Sequence, residues 1–274
     1  MKVAIVGCGY VGTATAQTLR GKSDYTITAT TTTGERVAEL EGVAQRVAVL
    51  KGNDKDAMTA VLQAQDAVLL CVGAANPYAY RESYLDTATT LVSVLKDIPT
   101  VKQVIYTGTY SVYGDRQGEL VNEESAVAPA NPNGEILAET ERVLLAASSA
   151  NLKVAILRLG GIYGPGRELV KIFGGWAGTT RPGTGEDATN WVHLDDIVGG
   201  LTFALENPLQ GIYNLVSDVA LSSGELLDRI FETNNLPKAS WDGSPSVRPY
   251  NAKVSNQKIK AAGYQFIHPE IREF

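Results

Sequence analysis

The sequence predicts an α/β fold, a doubly wound parallel sheet with a smaller C-terminal lobe. Three observations carry this. Apolar, β-branched segments alternate with helix-patterned segments over the first part of the chain. A glycine-rich turn joins the first such strand to the first helix. Beyond Gly160 the alternation gives way to stretches rich in Gly, Pro and Arg, such as "GGIYGPGRE" and "RPGTGEDATN".

The elements follow in order. "KVAIVG" (Lys2–Gly7) is a continuous apolar run, as a strand buried on both faces requires. "VGTATAQTLR" (Val11–Arg20) reads as a helix and "YTITATTTT" (Tyr25–Thr33) as the second strand. A short helix "RVAELEGV" leads to a third strand over Arg46–Asn53. "KDAMTAVLQA" is helical, "DAVLLCVGA" (Asp66–Ala74) is the fourth strand, and Tyr80–Asp97 is a long helix. "VKQVIYTGT" (Val101–Thr109) is the fifth strand. A helix begins within "PANPNGEILAE", with Asn131 or Asn133 able to cap it. "LKVAILRL" (Leu152–Leu159) is the sixth strand. Right-handed crossovers fold such units in the order 3-2-1-4-5-6. Residues 1–163 form the dinucleotide-binding domain. "WVHLDDIVGGLTFALE" and "GIYNLV", within 191–216, return to it, and 164–274 is mainly the smaller, substrate-binding lobe.

The chain has 274 residues, 44% hydrophobic and 20% charged, with a net charge of -6. It lacks the basic footprint that tracks a nucleic-acid backbone, so nucleic acid is not an expected partner. No run is long enough for a membrane span, and "MKVAIVGCG" is too short an apolar stretch for a signal segment. Cys8 and Cys71 do not make a disulfide framework, which points to a reducing, cytoplasmic setting. No metal-ligand spacing is read, so no metal is expected.

"GCGYVG" is a GxGxxG pattern placed after a strand and opening a helix. Gly7 allows the tight turn, Gly9 lets backbone approach a pyrophosphate, and Gly12 lets the helix pack close to the strand. Free N–H groups at the helix start, from Tyr10 and Val11 onward, face the anion. Val72 and Gly73, ending the fourth strand, complete the expected cofactor edge. An NAD site places Asp or Glu about 18 residues past the last glycine. Thr30 stands there, and no carboxylate occurs from Tyr25 through Gly34. Thr30, Thr31 and Thr32 offer hydroxyls and Arg36 a guanidinium, which suit the 2′-phosphate of NADP better than the bare ribose of NAD. Asp54 has two readings, an acceptor for the adenine amino group or a cap of the next helix.

"VIYTGTYSVYGD" (Val104–Asp115), together with "GCGYVG", "LRLGGIYGPG", "WVHLDDIVGG" and "GIYNLV", resembles the extended branch of the short-chain dehydrogenase/reductases, the NAD(P)-dependent epimerase/dehydratase group. The resemblance runs from Met1 to about Tyr264 and implies a Rossmann domain with a cleft for a small substrate. It also implies a tetrad: a Ser/Thr after the fifth strand, a Tyr and a Lys in YxxxK on the next helix, and an Asn on the preceding one. Here Thr109 matches the Ser/Thr and Asp86 falls at the Asn. "NPNGEIL" lies over "xPYGxSK", which puts Asn133 at the Tyr and Leu137 at the Lys. An amide cannot exchange a proton at accessible pH, and leucine brings no charge to lower a neighbour's pKa. Shifting the register does not restore the pair, because no Tyr or Lys lies between Asp115 and Lys153. The resemblance is therefore to the atypical members of the family.

Replacement proton donors are sought first at Asp86, then at Tyr163 and Tyr78. Tyr113 is read as packing, and His193 as a satisfied buried histidine. Arg248 of "SVRPYNAKVS" resembles an arginine that grips the diphosphate of sugar nucleotides, and the second such arginine is Thr189 here. Arg167 and Arg181 are the available substitutes, and Tyr78 stands at the carboxyl edge where ligands bind. The ligand expected is small, with an anion among its readings. Cys8 and Cys71 have two readings, a redox pair beside the cofactor or two buried apolar residues. Leu137, Val143 and Leu144 are core residues or a dimer face, so monomer and homodimer both stand.

Overall fold

The computed structural model describes residues 1–274. β1 (Lys2–Val6) is buried after its first residue and runs into the glycine turn and α1 (Tyr10–Arg20). β2 (Thr26–Thr31) is likewise buried after Thr26. A 3-10 turn over Gly34–Arg36 leads to α2 (Val37–Glu41), and β3 (Arg46–Val49) follows. β3 is shorter than the expected Arg46–Asn53, because Lys51, Asn53 and Asp54 are exposed polar residues that turn the chain toward α3 (Lys55–Leu62). β4 (Ala67–Leu70) is wholly buried.

The long helix expected over Tyr80–Asp97 is two kinds of helix. Arg81–Asp86 is a π-helix, which passes directly into α4 (Thr87–Leu95). The Thr87 hydroxyl donates to the Glu82 carbonyl at 3.1 Å, a bond that spans the wider turn. Gly52 makes room for it, since a Cβ there would lie 2.1 Å from the Thr87 hydroxyl oxygen. Single-turn π segments concentrate at functional positions, where they re-aim side chains.

β5 (Gln103–Thr109), a 3-10 turn over Tyr110–Tyr113, β6 (Leu120–Val121) and α5 (Pro132–Ala146) come next. β7 (Lys153–Leu159), β8 (Gly161–Tyr163), α6 (Leu169–Phe173), β9 (Thr180–Arg181), β10 (Ala188–Thr189) and β11 (Trp191–His193) precede α7 (Leu194–Glu206). The chain ends with β12 (Gly211–Leu215), β13 (Leu221–Ser222), α8 (Ser223–Thr233), β14 (Ser240–Trp241), β15 (Lys253–Val254) and α9 (Gln257–Ala261).

The central sheet has seven strands in the order β12-β7-β5-β4-β1-β2-β3. β1 pairs in parallel with β2 and β4, β2 with β3, and β4 with β5. The order reverses at β1, as a doubly wound sheet requires. β12 joins this sheet as expected. β11 does not: it pairs in parallel with β8, because Gly160 and Gly161 end β7 and let the chain start a separate ladder.

The chain divides into two compact units. The first comprises Met1–Gly108, Pro132–Leu157 and Val198–Ile212, and the second Thr109–Asn131, Arg158–Ile197 and Tyr213–Phe274. This differs from the boundary expected at residue 163. Residues 109–131 and 158–163 belong to the second unit because their packing partners lie there: Tyr110, Tyr113 and Val121 share a core with Val216, Ala252 and Val254.

The first unit's core is built from the sheet and its helices, including Val6, Leu70, Leu91, Tyr106, Leu144 and Ile156. Leu144 is part of it, Val143 packs against it, and Leu137 is also buried. In the second unit α8 carries Leu226, Leu227, Ile230 and Phe231 onto Tyr163, Leu169 and Leu221. A full capping box starts α8, with Ser222 and Glu225 exchanging side-chain and backbone bonds.

Candidate functional site

The glycine loop belongs to the first unit, and each glycine in it has its own physical reason. Gly7 adopts φ +93, and a Cβ there would lie 2.9 Å from the Cys71 carbonyl oxygen and from the Val72 Cα. Gly12 is tighter still: its Cβ would lie 2.4 Å from the Gly7 carbonyl oxygen. At Gly9 nothing lies within 4 Å of a Cβ position. The approach to the loop is therefore open at Gly9 and closed at Gly7 and Gly12. No side chain caps the N-terminus of α1, and no acidic residue lies in its first turn. The positive end of the helix is thus not neutralised by a side-chain cap or by an acidic residue of its own first turn. Tyr10 is half-buried and Val11 buried, while Val72 is half-buried and Gly73 exposed beside open space.

The three threonines at the end of β2 do different jobs. The Thr30 hydroxyl is buried and accepts from the Gly7 N–H at 3.0 Å, and Cys8 N–H donates to the Thr30 carbonyl at 2.8 Å. Thr30 therefore holds the loop. The Thr31 hydroxyl accepts from Thr33 N–H at 3.1 Å, and Thr32 is exposed. Arg36 reaches back across the loop. Its guanidinium donates to the Cys8 carbonyl and to the Thr13 hydroxyl, and Glu39 holds its other side through Nε at 3.1 Å and Nη2 at 2.7 Å. Asp54 caps α3, accepting from Ala57 N–H at 3.0 Å.

Both cysteines are free and buried. Burial pushes the Cys8 thiol from its ordinary 9.0 up to about 11 and the Cys71 thiol up to about 12. Burial thus disfavours the thiolate form that redox chemistry uses. Iodoacetamide at pH 8 is expected to modify neither in native protein and both after unfolding. The raised values also set a sign. Their stabilising contribution is full below pH 9 and is lost as pH rises toward 11 and 12. Thermal melts from pH 8 to 11 check it.

Asp86 closes the π-helix and is half-buried; Asn133 is half-buried and Leu137 buried on α5, against which the π-helix packs. Two tyrosines on and beside the π-helix, Tyr80 and Tyr84, have ring centroids 5.3 Å apart. Burial raises the Tyr84 phenol, and a hydrogen bond with the backbone of Ala74 opposes that shift. One turn beyond Leu137 lies a residue that sequence reading did not single out. Glu141 is 3% exposed, and its carboxylate oxygen lies 2.9 Å from the place of a Gly108 Cβ. Burial and then the Glu141 charge hold the Tyr106 phenol far above its ordinary value. The spacing of Leu137, Glu141 and Leu144 marks that buried face in the sequence.

In the second unit Thr109 caps the 3-10 turn, its hydroxyl accepting from Ser111 N–H at 3.2 Å. Tyr113 is fully buried, donating to Asn214 at 2.9 Å beneath the Arg158 guanidinium. Arg248 donates to the Tyr110 hydroxyl at 3.1 Å and to the Ser223 hydroxyl at 3.4 Å, with its guanidinium carbon 5.1 Å from the Tyr250 ring centre. The Arg248 Nε is buried with no hydrogen-bond partner. Thr189 bonds to the Leu221 carbonyl at 2.9 Å, and Arg181 stacks on Trp176 at 3.9 Å. Arg167 is exposed, and Tyr78, in the first unit, is 97% exposed. Tyr163 is 1% exposed, its ring packed edge-on against His193, and burial pushes its phenol well up. His193 is buried as expected, but its Nε2 has no hydrogen-bond partner.

The family model described as the NAD dependent epimerase/dehydratase family matches residues 3–215. The chain belongs to that family. Protein YeeZ of Escherichia coli strain K12 is 35% identical over 221 residues, 78% of this chain and 77% of that protein. Two solved structures share the fold. UDP-glucuronic acid 4-epimerase from Bacillus cereus, in complex with a fluorinated UDP-sugar and NAD, matches at a TM-score of 0.80 and 19% identity, covering 95% of this chain and 92% of that one. UDP-glucose 4-epimerase from Thermotoga maritima with UDP-glucose gives the same TM-score, identity and coverage.

Proposed function

We propose that this family member binds NADP(H) in preference to NAD(H) and works, if it turns over a substrate, without the family's Tyr and Lys. The observation that carries the cofactor reading is the glycine loop, open at Gly9 and spanned by Arg36, with no carboxylate at the end of β2. The residues fit a dinucleotide. Gly9 and the start of α1 receive the pyrophosphate, Val72 and Gly73 line the edge, and Thr32 and Arg36 address the 2′-phosphate. When bound, the nicotinamide supplies or accepts a hydride.

Glu39 tempers this preference, because it already occupies two donors of Arg36. Arg36→Ala is expected to weaken NADPH binding at least tenfold and to leave NADH nearly unchanged, while Glu39→Ala tightens NADPH severalfold. Calorimetric titration of both cofactors reads this. Tighter NADH than NADPH binding in the unaltered chain overturns the preference.

Asn133 and Leu137 take the positions of the family's acid/base pair, and Asp86, at the end of the π-helix, is the proposed replacement acid. The proposed ligand is a small anion-bearing molecule of the UDP-sugar class, and Arg248 is the residue of the second unit proposed to address a phosphate. This rests on the unpartnered Arg248 Nε and on the UDP-sugars named for the structural relatives. Asp86→Ala is expected to lower turnover of a UDP-sugar at least a hundredfold with cofactor affinity intact. Unchanged turnover excludes Asp86.

A second reading, a cofactor-binding sensor that does not turn over, is favoured by the loss of both titratable groups at Asn133 and Leu137. It predicts dinucleotide binding and no hydride exchange with any UDP-sugar. We retain a cytoplasmic setting on the two free cysteines, and monomer or homodimer as the assembly. No helix is long and apolar enough to cross a membrane.

A further inference from the structure

The chain contains two histidines, and the second unit brings both together. His193 ends β11 and His268 lies in the C-terminal segment, yet their ring centroids are 3.8 Å apart at an interplanar angle of 38°. Glu273 joins them, with a carboxylate oxygen 3.8 Å from the His193 Nε2. One ligand atom from each of the three lies within 4.8 Å of the others. The His193 Nε2 is buried, has no hydrogen-bond partner, and faces this cluster. Gly164 keeps the space beside it clear, since a Cβ there would lie 3.1 Å from that nitrogen.

We propose that His193, His268 and Glu273 bind a divalent transition metal of the zinc class. The donor set is two imidazoles and one carboxylate, which suits zinc with water as the fourth ligand. Ligand atoms about 2.0–2.1 Å from a tetrahedral ion lie roughly 3.3 Å apart. The 3.8 Å between the His193 Nε2 and the Glu273 oxygen is about half an ångström from that figure, and the group as a whole, bounded at 4.8 Å, is up to about 1.5 Å from it. His268 and Glu273 supply the remaining movement, being 24% and 66% exposed, while His193 stays fixed.

Asp195 sets the tautomer. Its backbone N–H donates to the His193 Nδ1 at 3.1 Å, which matches a proton on Nε2. Its carboxylate lies 3.4 Å from the same Nδ1. For a metal to take the Nε2 lone pair, the proton must move to Nδ1 and the Asp195 N–H must give up its bond there, after which the Asp195 carboxylate accepts from Nδ1, the carboxylate–histidine–metal arrangement. The carboxylate is also 3.2 Å from the His268 Nε2 and orients that ring too. The ion would clip the C-terminal segment to the junction of β11 and α7. This makes it structural and independent of the dinucleotide reading.

The test uses the full, untagged chain stripped of metal by chelator. Zinc is titrated in competition with a chromophoric chelator, and cobalt is added separately to read its visible spectrum. The expected results are one saturable zinc equivalent, a cobalt band of four-coordinate intensity, and at least tenfold weaker zinc binding for His268→Ala and for Glu273→Gln. Both substitutions fall at accessible side chains, and the metal-free melting temperature reports whether each variant folds. Absence of saturable zinc binding by the unaltered chain overturns the site. Zinc binding undiminished in both folded variants also overturns it.

Discussion

Gly12→Ala is expected to abolish dinucleotide binding and to lower stability together. A Cβ at Gly12 would lie 2.4 Å from the Gly7 carbonyl oxygen and 3.2 Å from the Ile5 side chain. The first of these is a backbone atom of the loop itself, so relief requires α1 to withdraw from β1 or the turn to open. Overpacking of this kind costs about 1–3 kcal/mol. It also moves the N–H groups of the helix start, which on the proposed reading meet the pyrophosphate within hydrogen-bonding distance. Gly9→Ala is the informative partner. Nothing lies within 4 Å of a Cβ there, and φ is already -80. Its melting temperature should match the unaltered chain while NADPH affinity falls at least tenfold, because the methyl group takes ligand space. Equal affinity in Gly9→Ala would mean that the pyrophosphate does not approach the loop at Gly9.

Asp196→Ala is expected to be the most destabilising single change in the second unit. Asp196 is fully buried and accepts from three donors of the C-terminal segment: the Tyr264 hydroxyl at 3.0 Å, Ile267 N–H at 2.6 Å and His268 N–H at 2.9 Å. Each donor left unpaired costs about 1–3 kcal/mol, although the Tyr264 hydroxyl keeps the Asp196 carbonyl as an acceptor. A loss of about 3 kcal/mol or more follows, or on the order of 10 °C in melting temperature for a chain of this size. Asp196→Asn retains one acceptor oxygen and should fall between. A shift of less than 1 kcal/mol, read by chemical denaturation with the usual two-state check, rules out a main role for Asp196 in docking the segment.

Much of the site was legible because it is local. The spacing of Gly7, Gly9 and Gly12 after an apolar strand states its own geometry, since a turn, a close approach and a tight helix contact each demand a missing Cβ within a few residues. The absence of Tyr and Lys from Pro129–Lys153 could be read just as directly, apart from Lys153 itself at the start of β7. Asp54 left two readings open because both use the same carboxylate, and the structure shows it capping α3. Thr30 was harder. Its position along β2 was plain, but that its hydroxyl would be taken by the Gly7 N–H depends on two strands meeting in register.

The sequence by itself determined the strand and helix order, the doubly wound sheet and the glycine loop. These follow from periodicity and from short-range sterics, which act between near neighbours in the chain. Only the tertiary structure decided which side chains at distant positions meet. It put a π-helix before α4 and buried Glu141 against Gly108. It moved β11 from the central sheet to β8, and it stacked His193 on His268. Such contacts are selected by the packing of whole elements. No local pattern carries the information that two residues on separate elements will share a space.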